Sequence, residues 1–122
     1  MLSSYRVIEL SDESVSFCGY LLAMLGAEVI CVEPPGGSKV RDLPPFSQVN
    51  GESLWWNAYS RGKQRVTIDL NEDSGRSELM SMVADADFLI ESMSAGAAGR
   101  IGIDYESLEK INPKIITNRL HV

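Results

Sequence analysis

The chain has one histidine, two cysteines and three phenylalanines among 122 residues, and each scarcity removes a class of function. His121 is the only histidine, and it stands beside the terminal residue, so a Ser-His-Asp triad would hang on a fraying chain end. Cys18 and Cys31 have neither Cys-x-x-Cys spacing nor a histidine nearby. They read as buried free thiols of a reducing cytosol, not as a disulfide or a metal site, and no metal is expected. No apolar run approaches the roughly 20 residues of a bilayer span, and Met1 to Arg6 lacks the basic and apolar regions of a signal peptide, which predicts a cytoplasmic protein without a membrane partner. Basic charge is also short. Eleven Lys and Arg stand against 17 Asp and Glu, giving a net charge of -6, so the basic face that counterion release from nucleic acid requires is missing.

What is present is a complete crossover unit from Arg6 to Gly37. Val7-Ile8-Glu9-Leu10 is a short apolar strand. After the polar break Ser11 to Ser16, residues Phe17, Leu21, Leu22 and Leu25 recur at helical spacing, and Gly26 stands where a left-handed helix end favours a residue without Cβ. Val29-Ile30-Cys31-Val32 is a second buried strand, and two such strands joined by one helix imply a parallel sheet covered on both faces. The turn between the first strand and helix has no glycine, so the close backbone approach to a pyrophosphate that marks a dinucleotide fold is absent and NAD is excluded. Glu33, at the end of the second strand, reads as a solvated strand end.

Gly36 to Gly51 is a loop rich in Gly, Pro and Ser that carries Lys39 and Arg41 over the sheet edge. Ser53 to Tyr59 is a short helix with Trp55 and Trp56. The basic turn Arg61 to Arg65 leads into a third strand, Val66 to Leu70. Asn71 to Ser74 supplies capping side chains for a helix with the inward stripe Leu79, Met82 and Val83, which ends before a fourth strand, Phe88 to Glu91. Ser92 to Gly99 is small and flexible. Asp104 caps a last helix carrying Tyr105, Leu108 and Ile111; Pro113 stops it, and Ile115-Ile116-Thr117 opens a fifth strand. The expected fold is α/β and Rossmann-like: a doubly wound, mainly parallel five-stranded sheet with helices on both faces, as one domain over residues 1–122. Arg61, Lys63 and Arg65 put three cations into five residues of an acidic chain, a turn suited either to phosphates or to balancing nearby acids in solvent.

LLAMLGAEVICVEPPGG is similar to the opening of the class III coenzyme A transferases (the CaiB/BaiF family), which include formyl and carnitine CoA-transferases and α-methylacyl-CoA racemase. The resemblance continues through Ser60 to Leu70, Ala84 to Ser92, Gly99-Arg100-Ile101-Gly102 and Ile111 to Ile116, in the family's order. It implies that the chain corresponds to the N-terminal region of a longer enzyme, with coenzyme A as its ligand. Carried over position by position, the nucleotide end of coenzyme A lies against Val15 after the first strand, the Lys63 turn, the third-strand end Ile68, Asp69, Leu70 and Asn71, the fourth-strand end Ser92 and Met93, and Arg100. Several positions depart from the family. Asn71 and Cys31 stand where lysines are frequent, Ser92-Met93-Ser94 lacks the aromatic residue after Glu-Asn, and Ser14-Val15-Ser16 replaces Ala-Gly-Pro with one residue fewer. Each change removes a donor, a stacking face or a tight turn, so the resemblance implies weakened binding.

The family's nucleophile is an aspartate that attacks the acyl-CoA thioester and forms a mixed anhydride, and it lies beyond the region matched here. No catalytic residue is therefore expected within these residues, and the chain alone is expected to be inactive. One alternative is a truncated or degenerate relative that binds a nucleotide weakly or only pairs with a partner. A receiver-like signalling domain is a further alternative of suitable length, with Asp69 at a strand end, but no lysine follows the fifth strand. A homo-oligomer is expected, with the contact at Ile115 to Thr117 or at the Trp55-Trp56 surface.

Overall fold

The computed structural model describes residues 1–119. Five parallel strands form one sheet in the order β3-β2-β1-β4-β5. Strand β1 spans Arg6–Leu10, β2 Glu28–Glu33, β3 Lys63–Thr67, β4 Phe88–Glu91 and β5 Ile116–Arg119. Helix α1 (Glu13–Met24) connects β1 to β2, α2 (Leu54–Tyr59) precedes β3, α3 (Asp73–Ala84) connects β3 to β4, and α4 (Ala95–Arg100) and α5 (Tyr105–Ile111) lie between β4 and β5. This is the doubly wound α/β fold expected from the alternation of apolar strands and capped helices. The direction of the strand order reverses at β1 and β4, which places a crevice at their C-terminal ends.

The inner strands are the ones that read most plainly as apolar runs, because parallel strands covered on both faces bury most of their side chains. On one face Ile8, Val32 and Leu89 pack with Leu79 and Val83 of α3, Ala98 of α4 and Leu108 of α5. On the other, Val7, Val29 and Ile90 pack with Val15 of α1, and Cys31 with Val40 and Trp56. Asn112, which ends α5, is buried, and its amide donates to the carbonyls of Val83 at 2.9 Å and Ala86 at 2.7 Å, tying α5 to the end of α3. Asp12, Ser53, Ser94 and Asp104 each accept a backbone N–H at a helix start, and Ser38 does so for a single 3-10 turn, Lys39–Asp42, satisfying donors that the first turn leaves open. Gly26 has φ 101°, the left-handed conformation expected at the end of α1.

Four expectations change. The third strand begins at Lys63 and ends at Thr67, not at Val66 and Leu70, so the basic turn is largely strand. As the sheet edge, β3 pairs only with β2, from Lys63 opposite Val29 to Thr67 opposite Glu33, and an edge strand need not be apolar. The segment Ser92 to Gly99 contains α4. Helix α3 has Glu72 at its N-cap without a side-chain cap bond. Trp56 is buried under Arg41, whose guanidinium lies 4.2 Å from the ring centroid, so the tryptophan pair is not an open surface.

Candidate functional site

A cleft of about 520 Å³ opens over the C-terminal ends of the first four strands. Leu10, Val32 and Ile68 form its apolar floor, and Ser11, Asp12, Asp69, Asn71 and Ser92 bring polar groups to its rim. A second depression of about 460 Å³ shares Ser11, Asp12 and Pro34 with it and adds Lys39, a cation at its margin.

The walls are built by residues that leave the sheet. Ile68 N still donates to Glu33 O at 2.9 Å, after which Asp69 accepts from Asn71 N at 3.0 Å and turns the chain toward α3. Arg76 of α3 donates to Leu70 O at 3.0 Å and fixes that turn from behind. Across the crevice, Asp12 Oδ2 accepts from Ser14 N at 3.1 Å as the α1 cap and from Ser92 Oγ at 2.8 Å, joining the loop after β1 to the loop after β4. Burial pushes the Asp12 carboxyl up, but the bonds from Ser14 and Ser92 outweigh it and hold the group below the usual aspartate range. Met93 N donates to Glu91 Oε2 at 2.6 Å, which shapes the other lip.

Glu33 is not the solvated strand end read from the sequence. It is 4% exposed, and Arg41 closes on both of its oxygens at 2.6 and 2.9 Å while Ser38 N donates at 3.0 Å. The Arg41 hydrogen bonds hold its carboxyl below the usual range, and a bidentate guanidinium fits a planar carboxylate better than a single ammonium would. Both charges are thereby committed to each other at the cleft's edge.

Of the residues carried over from the resemblance, Ile68, Asp69, Leu70, Asn71, Ser92 and Met93 come together in this cleft. Three do not. Val15 is 0% exposed, on the side of α1 that faces the core. Arg100 lines a separate depression with Arg76, Met80 and Gly99. Lys63 lies under α1 with its side chain 2% exposed, its ammonium 2.7 Å from Glu9 Oε1 and 2.9 Å from Ser16 O. Strand alternation explains the burial: Lys63, opposite Val29, points to the α1 face, where Glu9 waits two strands away. Sequence reading missed Asp12 as a cleft residue, although an acidic residue just after the first strand of such a fold falls at the strand ends where ligands bind.

The residues matched by the family profile named CoA-transferase family III run from 2 to 121. The chain belongs to CoA-transferase family III. It is 37% identical over 121 residues to succinyl-CoA–D-citramalate CoA-transferase of Chloroflexus aurantiacus, an alignment covering 98% of this chain and 30% of that protein. It is 39% identical to succinate–glutarate CoA-transferase of Agrobacterium fabrum, covering 94% of the chain and 30% of the relative. The crystal structure of a CAIB/BAIF family protein from Brucella suis superposes with a TM-score of 0.87 at 38% identity, over 95% of this chain and 32% of that one. The chain thus spans about 30% of the length of these curated family III relatives. Among the described residues no helix is long and apolar enough to cross a membrane, and no group of three or more His, Cys, Asp or Glu is placed to hold a metal ion. His121 lies outside the described residues.

Proposed function

We propose that this chain is the coenzyme A-binding part of a cytoplasmic CoA-transferase acting between an acyl-CoA and a carboxylate, and that its nucleophilic carboxylate comes from outside these residues. The observation that carries the reading is the convergence of Ile68, Asp69, Leu70, Asn71, Ser92 and Met93 on one cleft at the strand-order reversal. The cleft suits the adenosine end. Its apolar floor accepts a base, Asp69 and Asp12 accept from hydroxyl or amino groups, and Arg100 offers a cation beyond the Leu70 turn for phosphates, while Arg76 is paired with Asp73. Each of these carboxylates already accepts a hydrogen bond from the chain, Asp12 from Ser14 and Ser92 and Asp69 from Asn71, as does Glu33 from Arg41, which supports a nucleophile supplied from elsewhere.

Calorimetric titration with coenzyme A tests the reading. The chain is expected to bind coenzyme A modestly and pantetheine not measurably. Asn71→Lys, which restores a cation at the cleft, is expected to tighten binding about tenfold at low salt and less at high salt. Arg100→Ala is expected to weaken it by a similar factor. With succinyl-CoA, mass spectrometry is expected to show no acyl adduct on the isolated chain. Equal, weak responses to coenzyme A and pantetheine in all variants would end the proposal.

A specific surface supports an assembly role beside binding. Helix α1 is apolar on its outer side as well as its inner one: Phe17, Leu21, Met24 and Leu25 are 45–52% exposed. Phe17 also packs edge-on against Tyr59 of α2, with ring centroids 5.5 Å apart. Acidic proteins repel one another except where a face lacks acids, so the proposed homo-oligomer contact moves from the buried Trp56 to this face. Light scattering is expected to show a dimer that Leu21→Glu converts to a monomer; a monomeric wild type at high concentration would end the idea.

A further inference from the structure

Neither Glu9 nor Lys63 lines the cleft, yet both hold elements that do. Glu9 precedes Leu10, Ser11 and Asp12. The side of α1 that rests on Glu9 and Lys63 presents Ser16 and Gly19, and a Cβ on Gly19 would fall 1.7 Å from Glu9 Oε1. Val15 seats one side of the first turn in the apolar core, and on the side that carries Ser16 and Gly19 the helix rests on the polar pair. Lys63 Nζ donates to Ser16 O at 2.9 Å. Ser16 Oγ and Ser16 N in turn donate to Asp12 O at 2.7 and 3.1 Å. Asp12 then reaches Ser92 at 2.8 Å, across the crevice between β1 and β4.

We infer that Lys63 is a positioning residue: through the Ser16 carbonyl it fixes the Asp12–Ser16 turn, and through Asp12 it sets the spacing of the two cleft lips. Its part in coenzyme A affinity rests on the proposed function above. In this role a cation in the basic segment serves the ligand without touching it. The ammonium is held by Glu9 and Ser16 and is closed off from solvent beneath α1.

The test compares wild type, Lys63→Met and the double variant Glu9→Met/Lys63→Met, which removes both buried charges with unbranched chains of similar length. An apolar replacement of a buried ion pair commonly restores stability, but it cannot donate to Ser16 O. Amide exchange is followed at Ser14, Val15 and Ser16, whose N–H groups bond to Asp12, and at slow core amides of β1 and β4, together with coenzyme A titration. The expected result for the double variant is exchange at the Asp12 turn at least about tenfold faster relative to the core amides, and a coenzyme A dissociation constant raised about five- to tenfold. Uniform exchange changes across turn and core, or wild-type turn exchange and affinity in the double variant, would overturn the inference. If wild type itself fails to bind coenzyme A, the functional proposal falls, and the exchange measurements on the ligand-free chain still decide whether Lys63 holds the turn.

Discussion

Lys63→Met alone is expected to cost about 3–5 kcal/mol of stability at neutral pH, the range for removing one partner of a buried ion pair. Glu9 and Lys63 side chains are 1% and 2% exposed, so solvent does little to screen or replace the contact. Among the described residues, beyond the 2.7 Å ammonium contact at Oε1, the Cys31 thiol, 3.5 Å from Oε2, is the other group that compensates the Glu9 carboxylate. The loss is also expected to depend on pH, with a definite sign. Burial raises the Glu9 pKa in the folded chain, and Lys63 and Cys31 offset only part of that rise. A carboxyl whose pKa rises on folding contributes stability that is present below its unfolded pKa and is lost as pH climbs through the folded value. Removing Lys63 lifts the folded value further and widens that window upward. The deficit should therefore shrink on mild acidification, when Glu9 enters the fold as a neutral acid. Denaturant unfolding of both proteins at neutral and mildly acidic pH checks this. A deficit below about 1 kcal/mol, ordinary for a surface change, or one unaltered by pH, would show that the pair does not carry this stability.

This pair also marks where the sequence could be read and where it could not. Strands β1, β2 and β4 were legible because central parallel strands are apolar on both faces, and α5 because Asp104 announces its start, whereas α1 begins at Glu13, inside the segment that reads as a polar break. Strand β3 was displaced because its edge position lets Lys63, Gln64 and Arg65 pair with β2 without an apolar pattern. A signal for the buried pair was nevertheless present. Glu9 is a lone acid inside the apolar strand Arg6–Leu10, and a charge at such a place needs a partner from a neighbouring element. Which cation answers it depends on the strand order, a non-local fact.

The cleft divides in the same way. Ile68 to Asn71 and Ser92-Met93 were marked by the family resemblance, and the strand order explains why segments so distant in sequence meet. The bonds that join its lips and close its edges, Asp12 to Ser92 and Arg41 to Glu33, cross between loops and have no local pattern. Arg100 shows the converse. Its motif is plain in the sequence, but α4 carries it into a depression beside Arg76 instead of the main cleft.

Gly75→Ala is expected to lower both stability and coenzyme A affinity, although alanine is the better helix former. Gly75 lies in the first turn of α3, and a Cβ there would stand 1.9 Å from Asp69 O and 2.7 Å from Asp69 C, with Ile68 Cγ2 at 3.2 Å. The helix preference favours alanine by roughly 1 kcal/mol. The clash opposes it and wins, because the obstructing atoms are backbone: α3 or the Ile68–Asn71 wall must move, and overpacking of this kind costs about 1–3 kcal/mol or more. The displaced wall is the one that holds Asp69 and Asn71 at the cleft, so affinity should fall with stability even though Gly75 does not line the cleft. Gly96→Ala supplies the contrast. A Cβ at Gly96 in α4 meets nothing within 4 Å, so the same substitution should stabilise the chain by about 0.5–1 kcal/mol and leave binding unchanged. Thermal unfolding and titration of the two variants separate these cases. If Gly75→Ala gained stability and bound coenzyme A as wild type does, close backbone approach at α3 would not be what shapes the cleft wall.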